Sequence, residues 1–196
     1  MEKQKYAAIV LAAGSGKRMN SKVHKQYLII QDRPVLYYSL KAFEDSAVDE
    51  IVLVVGKGEE EFCRKEIVDK YGISKVKAIV EGGKERYHSV FEGLKQTSDA
   101  DYVLIHDGAR PFVNQDIIRR CMQEVQKYQA CVVGMPVKDT IKIADEEGYA
   151  KQTPDRKNVW MIQTPQTFSY ALIYEAYEEM LKTEDAAITD DAMVLE

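Results

Sequence analysis

The chain has 196 residues, enough for one substantial core and thin for two. Its 45% hydrophobic and 30% charged content is ordinary for a globular domain, and a net charge of −5 argues against a general nucleic-acid or membrane-surface binder. No apolar run approaches the roughly 18 residues that a spanning helix needs. Cys63, Cys121 and Cys131 are odd in number and lack C-x-x-C spacing, so reduced thiols in a cytoplasmic protein are the expectation. The three histidines are scattered, which speaks against a zinc site. The segment from Met1 to Tyr6 leads straight into a strand, without the apolar core of a signal peptide.

In chain order, strand and helix patterns alternate. Ala7 to Leu11 is an apolar run that ends in Ala12-Ala13-Gly14-Ser15-Gly16 and then the cations Lys17 and Arg18. Val35 to Phe43 reads as a helix with Pro34 at its first turn. Glu50 to Val55 reads as a buried strand, and Glu59 to Tyr71 as a helix stopped by Gly72. Val76 to Val80 is a strand, Tyr87 to Lys95 a helix, and Tyr102 to Ile105 a strand ending in His106-Asp107. Asp116 to Tyr128 is helical, and Cys131 to Met135 is again a strand.

Such alternation predicts an α/β fold, a Rossmann-like, mostly parallel sheet with helices on both faces. Right-handed crossovers then gather the loops Ala12–Arg18, Gly82–Ser89 and Asp107–Pro111 along one rim. From Pro136 the rhythm changes. Thr140 to Ile143 and Tyr149 to Lys151 flank an acidic turn ending in Gly148, the pattern of a protruding β-hairpin arm at about 137–157. A lone hairpin is marginal in water, so the arm is expected to dock on its own domain or on a second subunit. Val159 to Ile162 is a further strand-like piece and Ser169 to Leu181 an amphipathic helix. Thr189 to Glu196 is read as a helix start with Thr189 as N-cap.

The first loop suits a phosphate: small residues admit close backbone approach, loop N–H groups cradle oxygens, and cations add charge. It is not a Walker A loop, since Leu11 and Arg18 stand where glycine and Ser/Thr are required. Nor is it a dinucleotide fingerprint, which needs glycine at Met19. Arg18 and Lys25, with Lys17 and Lys22, either surround a phosphate or form a solvated basic face. Asp107 at a strand end either holds a hard cation such as Mg²⁺ or caps the following turn. Arg110 either grips phosphate or pairs with Asp107, and His106 reads as a packed core residue. Taken singly, Gly82-Gly83-Lys84-Glu85-Arg86 reads as a β-to-α turn and Thr164-Pro165-Gln166-Thr167-Phe168 as a loop entering a helix.

The ordered set is more specific than any member. Leu11 to Met19, His24-Lys25-Gln26-Tyr27, Gly82 to Arg86 with Ser89, His106 to Pro111, Pro154-Asp155-Arg156, Thr164 to Phe168 and Thr189-Asp190-Asp191-Ala192 together resemble the 2-C-methyl-D-erythritol 4-phosphate cytidylyltransferase family. The resemblance runs from Tyr6 to the end of the chain. It implies transfer of the cytidylyl group of CTP to 2-C-methyl-D-erythritol 4-phosphate, with Mg²⁺ or another divalent cation and release of pyrophosphate. It implies Arg18 and Lys25 as the catalytic cations. The CTP site would be Ala12, Ala13, Gly14, Gly16, Arg18, Lys25, Gly83, Lys84, Ser89 and Asp107, with Asp107 at the metal. Arg110, Thr140, Arg156, Thr164 and Thr189 would hold the sugar phosphate. Thr140 and Arg156 would reach a partner subunit's site through the arm of a homodimer. The resemblance also implies one more strand and helix after Glu196, and residues 1–196 as a single nucleotidyltransferase domain. Alternatives are a ribitol-5-phosphate cytidylyltransferase, which shares several motifs, and a non-catalytic nucleotide-binding module.

Overall fold

A computed structural model describes residues 3–14, 23–182 and 188–196. Its centre is a six-stranded sheet built from β1 (Tyr6–Ala12), β4 (Glu50–Val55), β5 (Val76–Glu81), β6 (Tyr102–Asp107), β7 (Ala130–Pro136) and β10 (Trp160–Ser169). The order is β5-β4-β1-β6-β10-β7; β10 is antiparallel to both of its neighbours, and the other pairings are parallel. The sequence pattern and the sheet agree here.

The apolar runs have a period of two. Ala8, Val10 and Ala12 of β1, with Ile51, Leu53 and Val55 of β4, face one core; Ala7, Ile9, Val52 and Val54 face the other. On the first face pack α1 (Val35–Glu44) and α4 (Gln115–Tyr128), through Leu36, Leu40, Phe43, Ile118 and Val125. On the second pack α3 (Arg86–Leu94) and α5 (Tyr170–Met180), through Val90, Leu94, Ile173 and Tyr177. With helices on both faces, each buried Leu or Ile contributes about 1.5–3 kcal/mol, and the strands need no polar side.

Several expectations are corrected. The helix expected over 59–71 is α2 (Glu60–Cys63) continued by a π-helical stretch, Arg64–Asp69, before Gly72 at φ 64°. A small hairpin, β2 (Ile29–Ile30) with β3 (Arg33–Pro34), adds to the expected elements; Gln31 and Asp32 turn it with φ of 47° and 67°. The segment Thr164 to Phe168, read as a loop, lies inside β10. Proline is tolerated there because the pairing with β7 shifts register between Ile162 and Gln166. The last helix start is a 3-10 turn, Ala192–Leu195. Its N-cap is Asp191, not Thr189, and the Asp191 side chain makes no capping bond; Asp190 beside it accepts from the Met193 N–H at 3.1 Å.

Between β7 and β10 a ribbon of β8 (Ile143–Ala144) and β9 (Ala150–Gln152) carries side chains that are all exposed. Its turn is closed by Asp145, which accepts from the Tyr149 N–H at 2.7 Å. Among the described residues no helix is long and apolar enough to cross a membrane.

Candidate active site

The C-terminal ends of β1, β4, β5 and β6 converge on one rim, and the side chains there are tied together in three groups. Each group spans segments distant in sequence.

The first holds the loop after β1. Ala12 is buried at the strand end, Ala13 is half-buried and Gly14 exposed. Gln26, 1% exposed, donates its amide to the Ala12 carbonyl at 2.6 Å and to the Gly14 carbonyl at 3.3 Å. A buried amide with this partner satisfies backbone acceptors that the turning chain leaves free. Gln26 belongs to a 3-10 turn, Lys25–Tyr27, which presents Lys25 to solvent beside that loop. Gly16 and Arg18 lie outside the described residues, as do Lys17 and Lys22.

The second group is a slot between β1 and β5. A Cβ on Gly82 would stand 2.4 Å from the Ala13 Cβ and 2.7 Å from the Ser89 hydroxyl. Only glycine permits that approach. Ser89, buried in the first turn of α3, accepts from the Gly83 N–H at 3.1 Å and donates to the Glu85 carbonyl at 3.2 Å. Gly83 and Lys84 are exposed at the mouth. Glu85 and His88 complete a capping box that fixes where α3 begins.

The third group surrounds Asp107 at the end of β6. Arg110 donates from Nε to its Oδ2 at 2.8 Å, and Arg86 approaches Oδ1 at 3.3 Å. Burial pushes the Asp107 pKa up, but Arg86 and then Arg110 outweigh it, and the carboxyl is held below its usual range. Arg110 also bonds the side-chain oxygen of Gln163. Of the two readings for Arg110, pairing with Asp107 is the one observed.

Behind them sits His106, fully buried as expected of a core residue. Its Nε2 lies 3.1 Å from the Arg110 carbonyl and its Nδ1 2.9 Å from the Thr164 hydroxyl. A carbonyl only accepts, so Nε2 carries the proton and Thr164 donates to Nδ1. Thr164 Oγ1 in turn accepts from the Asp107 N–H at 3.2 Å. This chain of bonds fixes the backbone under Asp107. Burial drives the His106 pKa down to about 4, so it is neutral at pH 7; being fully buried with both ring nitrogens bonded, it has no site left to take a proton from a substrate.

Thr189 is exposed, with its hydroxyl 3.1 Å from Met193 Sδ. Thr140 and Arg156 sit exposed in the arm region, Arg156 donating to the Lys138 carbonyl at 3.1 Å. Among the described residues neither is bonded to the rim. The residues missed from sequence are Gln26, Arg86, Gln166 and Asp191. Arg86 stands within a quoted motif, yet nothing in its spacing named Asp191, 105 positions away, as its partner.

Asp107 fits a divalent cation only in part. Its oxygens each accept one guanidinium bond and retain lone pairs, but among the described residues no group of three or more His, Cys, Asp or Glu could hold a metal. A metal here would draw its other ligands from water and from a bound phosphate, as Mg²⁺ commonly does.

A mostly parallel sheet with glycine turns, guanidinium groups and one carboxylate along its C-terminal rim defines a nucleotide-binding α/β enzyme. The family model described as 2-C-methyl-D-erythritol 4-phosphate cytidylyltransferase (IspD) matches residues 6–196. The enzyme of that name from Lachnoclostridium phytofermentans is 52% identical over 193 residues, covering 98% of this chain and 83% of its own. That from Lachnospira eligens is 54% identical over 191 residues, 96% and 84%. The crystal structure of 4-diphosphocytidyl-2C-methyl-D-erythritol synthase from Anaerococcus prevotii superposes with a TM-score of 0.84 at 36% identity, over 97% of this chain and 81% of that one. The chain belongs to the 2-C-methyl-D-erythritol 4-phosphate cytidylyltransferase family of nucleotidyltransferases.

Proposed function

We infer that this protein joins CTP and 2-C-methyl-D-erythritol 4-phosphate into 4-diphosphocytidyl-2-C-methyl-D-erythritol and pyrophosphate, a step towards isoprenoid precursors. The family match over residues 6–196 carries this reading. An oxygen of the acceptor phosphate bonds to the α-phosphorus of CTP, and the bond from that phosphorus to the bridging oxygen breaks, releasing pyrophosphate. The acceptor phosphate is largely ionised at neutral pH, its second pKa being about 6, so no general base is required. That is consistent with a rim whose buried histidine is neutral and fully bonded.

The task left to the protein is to hold two polyanions in line and stabilise charge on the transferring group. We assign Arg18 and Lys25 to that charge, each worth roughly 3–4 kcal/mol if it behaves as a typical preorganised donor. Ala12, Ala13, Gly14, Gly16, Gly83, Lys84 and Ser89 are proposed for CTP, with the slot between Ala13 and Gly82 supporting the base-binding part. Arg110, Thr164 and Thr189 are proposed for the sugar phosphate, together with Thr140 and Arg156 of a second subunit in a homodimer. Asp107 is proposed to contribute to a divalent cation, Mg²⁺ in the first instance, which would neutralise triphosphate charge. Free Cys63, Cys121 and Cys131 suit a cytoplasmic location.

Pyrophosphate release is the test, with CTP and an equimolar mixture of 2-C-methyl-D-erythritol 4-phosphate and ribitol 5-phosphate. Only the methylerythritol product is expected, and Lys25→Ala should lower kcat by about 10²–10³. Product from ribitol phosphate alone would assign the other acceptor. Absence of release while CTP binds would leave a nucleotide-binding module.

A further inference from the structure

Glu59 has no place in the chemistry above, yet its carboxylate is fixed on the turn that carries Lys25. Oε1 lies 3.0 Å from His24 Nδ1, and Oε2 accepts from the Tyr27 hydroxyl at 2.7 Å. One side chain therefore holds the residue before Lys25 and the second residue after it. Within the turn the Tyr27 N–H donates to the His24 carbonyl at 2.9 Å, so the two held residues are also joined to each other.

The grip is itself supported. Gly56, at the end of β4, donates its N–H to the same Oε2 at 3.1 Å, and the Glu59 N–H returns to the Gly56 carbonyl at 3.0 Å. A Cβ on Gly56 would stand 2.7 Å from Oε2, so the carboxylate can fold back over position 56 only because that residue is glycine. Tyr27 packs edge-on against Phe62 with ring centroids 5.2 Å apart, and its hydroxyl also lies 3.1 Å from Cys63 Sγ. Burial first, then Cys63 and Glu59, push the Tyr27 pKa up, so it remains a donor. Its bond to Glu59 is charge-assisted and half-buried, the kind that fixes geometry.

We propose that Glu59 is a positioning residue for Lys25, setting where the ammonium stands over the triphosphate by clamping the turn on both sides. This rests on the assignment of Lys25 to the transferring phosphoryl group. Gln26 anchors the same turn to the loop after β1, so Glu59 and Gln26 fix Lys25 relative to β4 and to β1 respectively. A displacement of about 1 Å at a reacting group can cost on the order of 100-fold in rate, which is why a residue that never meets substrate can matter.

A double-mutant cycle separates positioning from mere support of the fold. Glu59→Ala is expected to lower kcat by about 10- to 100-fold in the otherwise intact enzyme. In a Lys25→Ala background the same change should have little further effect on the residual rate. Glu59→Gln, which keeps one acceptor oxygen, should recover part of the loss. Gly56→Ala should reproduce it without altering Glu59. A Glu59→Ala that leaves kcat intact, or lowers it by the same factor with and without Lys25, overturns the proposal. If Lys25→Ala itself costs nothing, the assignment of Lys25 has failed instead. Urea midpoints of every variant keep loss of fold from passing as loss of positioning.

Discussion

Asp191 is wholly buried and takes both terminal nitrogens of Arg86 on its two oxygens, Nη1 at 2.7 Å and Nη2 at 2.8 Å. The same guanidinium turns its Nε towards Asp107. Tyr177 donates its hydroxyl to Asp191 Oδ1 at 2.7 Å, and Gln166 Oε1 accepts from the N–H groups of Asp191 and Ala192 at 2.9 and 3.0 Å. Burial would lower the Arg86 pKa, but Asp191 and Asp107 more than offset it, and the guanidinium stays charged. Arg86 thus couples the proposed metal carboxylate to the segment that follows Thr189.

That coupling predicts separate effects on stability and rate. Removing one partner of a buried pair typically costs about 3–5 kcal/mol, because the other charge is left uncompensated. Arg86→Met, which leaves the wholly buried Asp191 without its guanidinium, should therefore lower the unfolding free energy by an amount of that order, read as a lower urea midpoint with the slope unchanged. The double variant Arg86→Met with Asp191→Leu should recover much of the stability, since apolar replacement of a whole buried pair is often near neutral. It should not recover activity, because Asp107 has lost a guanidinium neighbour. Equal recovery of both would mean that Arg86 serves the fold alone.

His106 predicts a pH dependence. Its pKa is about 4 in the folded chain and about 6.5 when unfolded, so the unfolded state binds more protons between those values. Stability therefore falls as pH drops through that window, by up to roughly 1.4 kcal/mol per unit and on the order of 3 kcal/mol by pH 4. Asp107, whose pKa is held low, loses its contribution only at more acid pH. Urea unfolding at pH 7 and pH 5 should show the loss in the native chain and a clearly smaller one in His106→Gln. The same slope in both would show that His106 does not titrate as described.

The rim was legible because it follows from alternation: apolar runs at period two, each followed by a loop and an apolar helix face, send every loop to one edge. Gly82 and Asp107 could be placed there before any contact was known. What sits across the rim was not legible. Arg86 with Asp191 and Glu59 with Tyr27 are pairings between segments that no local pattern connects. The sequence pattern marks only Val159 to Ile162 as strand-like and Thr164 to Phe168 as a loop, whereas the strand runs Trp160–Ser169, with Pro165 accommodated by the register shift beside β7. Thr189 suits an N-cap by residue type, yet the turn begins at Ala192 with Asp191 as its N-cap, and Arg86 and Tyr177 draw the Asp191 side chain inward so that it makes no capping bond. Tertiary pairing overrode local preference there.

Arg156 and Thr140 are exposed and, among the described residues, unbonded to this chain's own rim, while Ile143, Tyr149 and Trp160 expose apolar surface beside them. If the arm completes a partner's site, a dimer contains two sites, each built from the rim of one subunit and the arm of the other. Lys25→Ala and Arg156→Ala should each be nearly inactive as homodimers. Unfolded together and refolded as a mixture, they form heterodimers in which one site carries both defects and the other carries neither. Random pairing makes half of all dimers mixed, so about a quarter of the native activity should return. No recovery from a mixture shown to exchange subunits would place Arg156 at its own chain's site, or outside the site altogether.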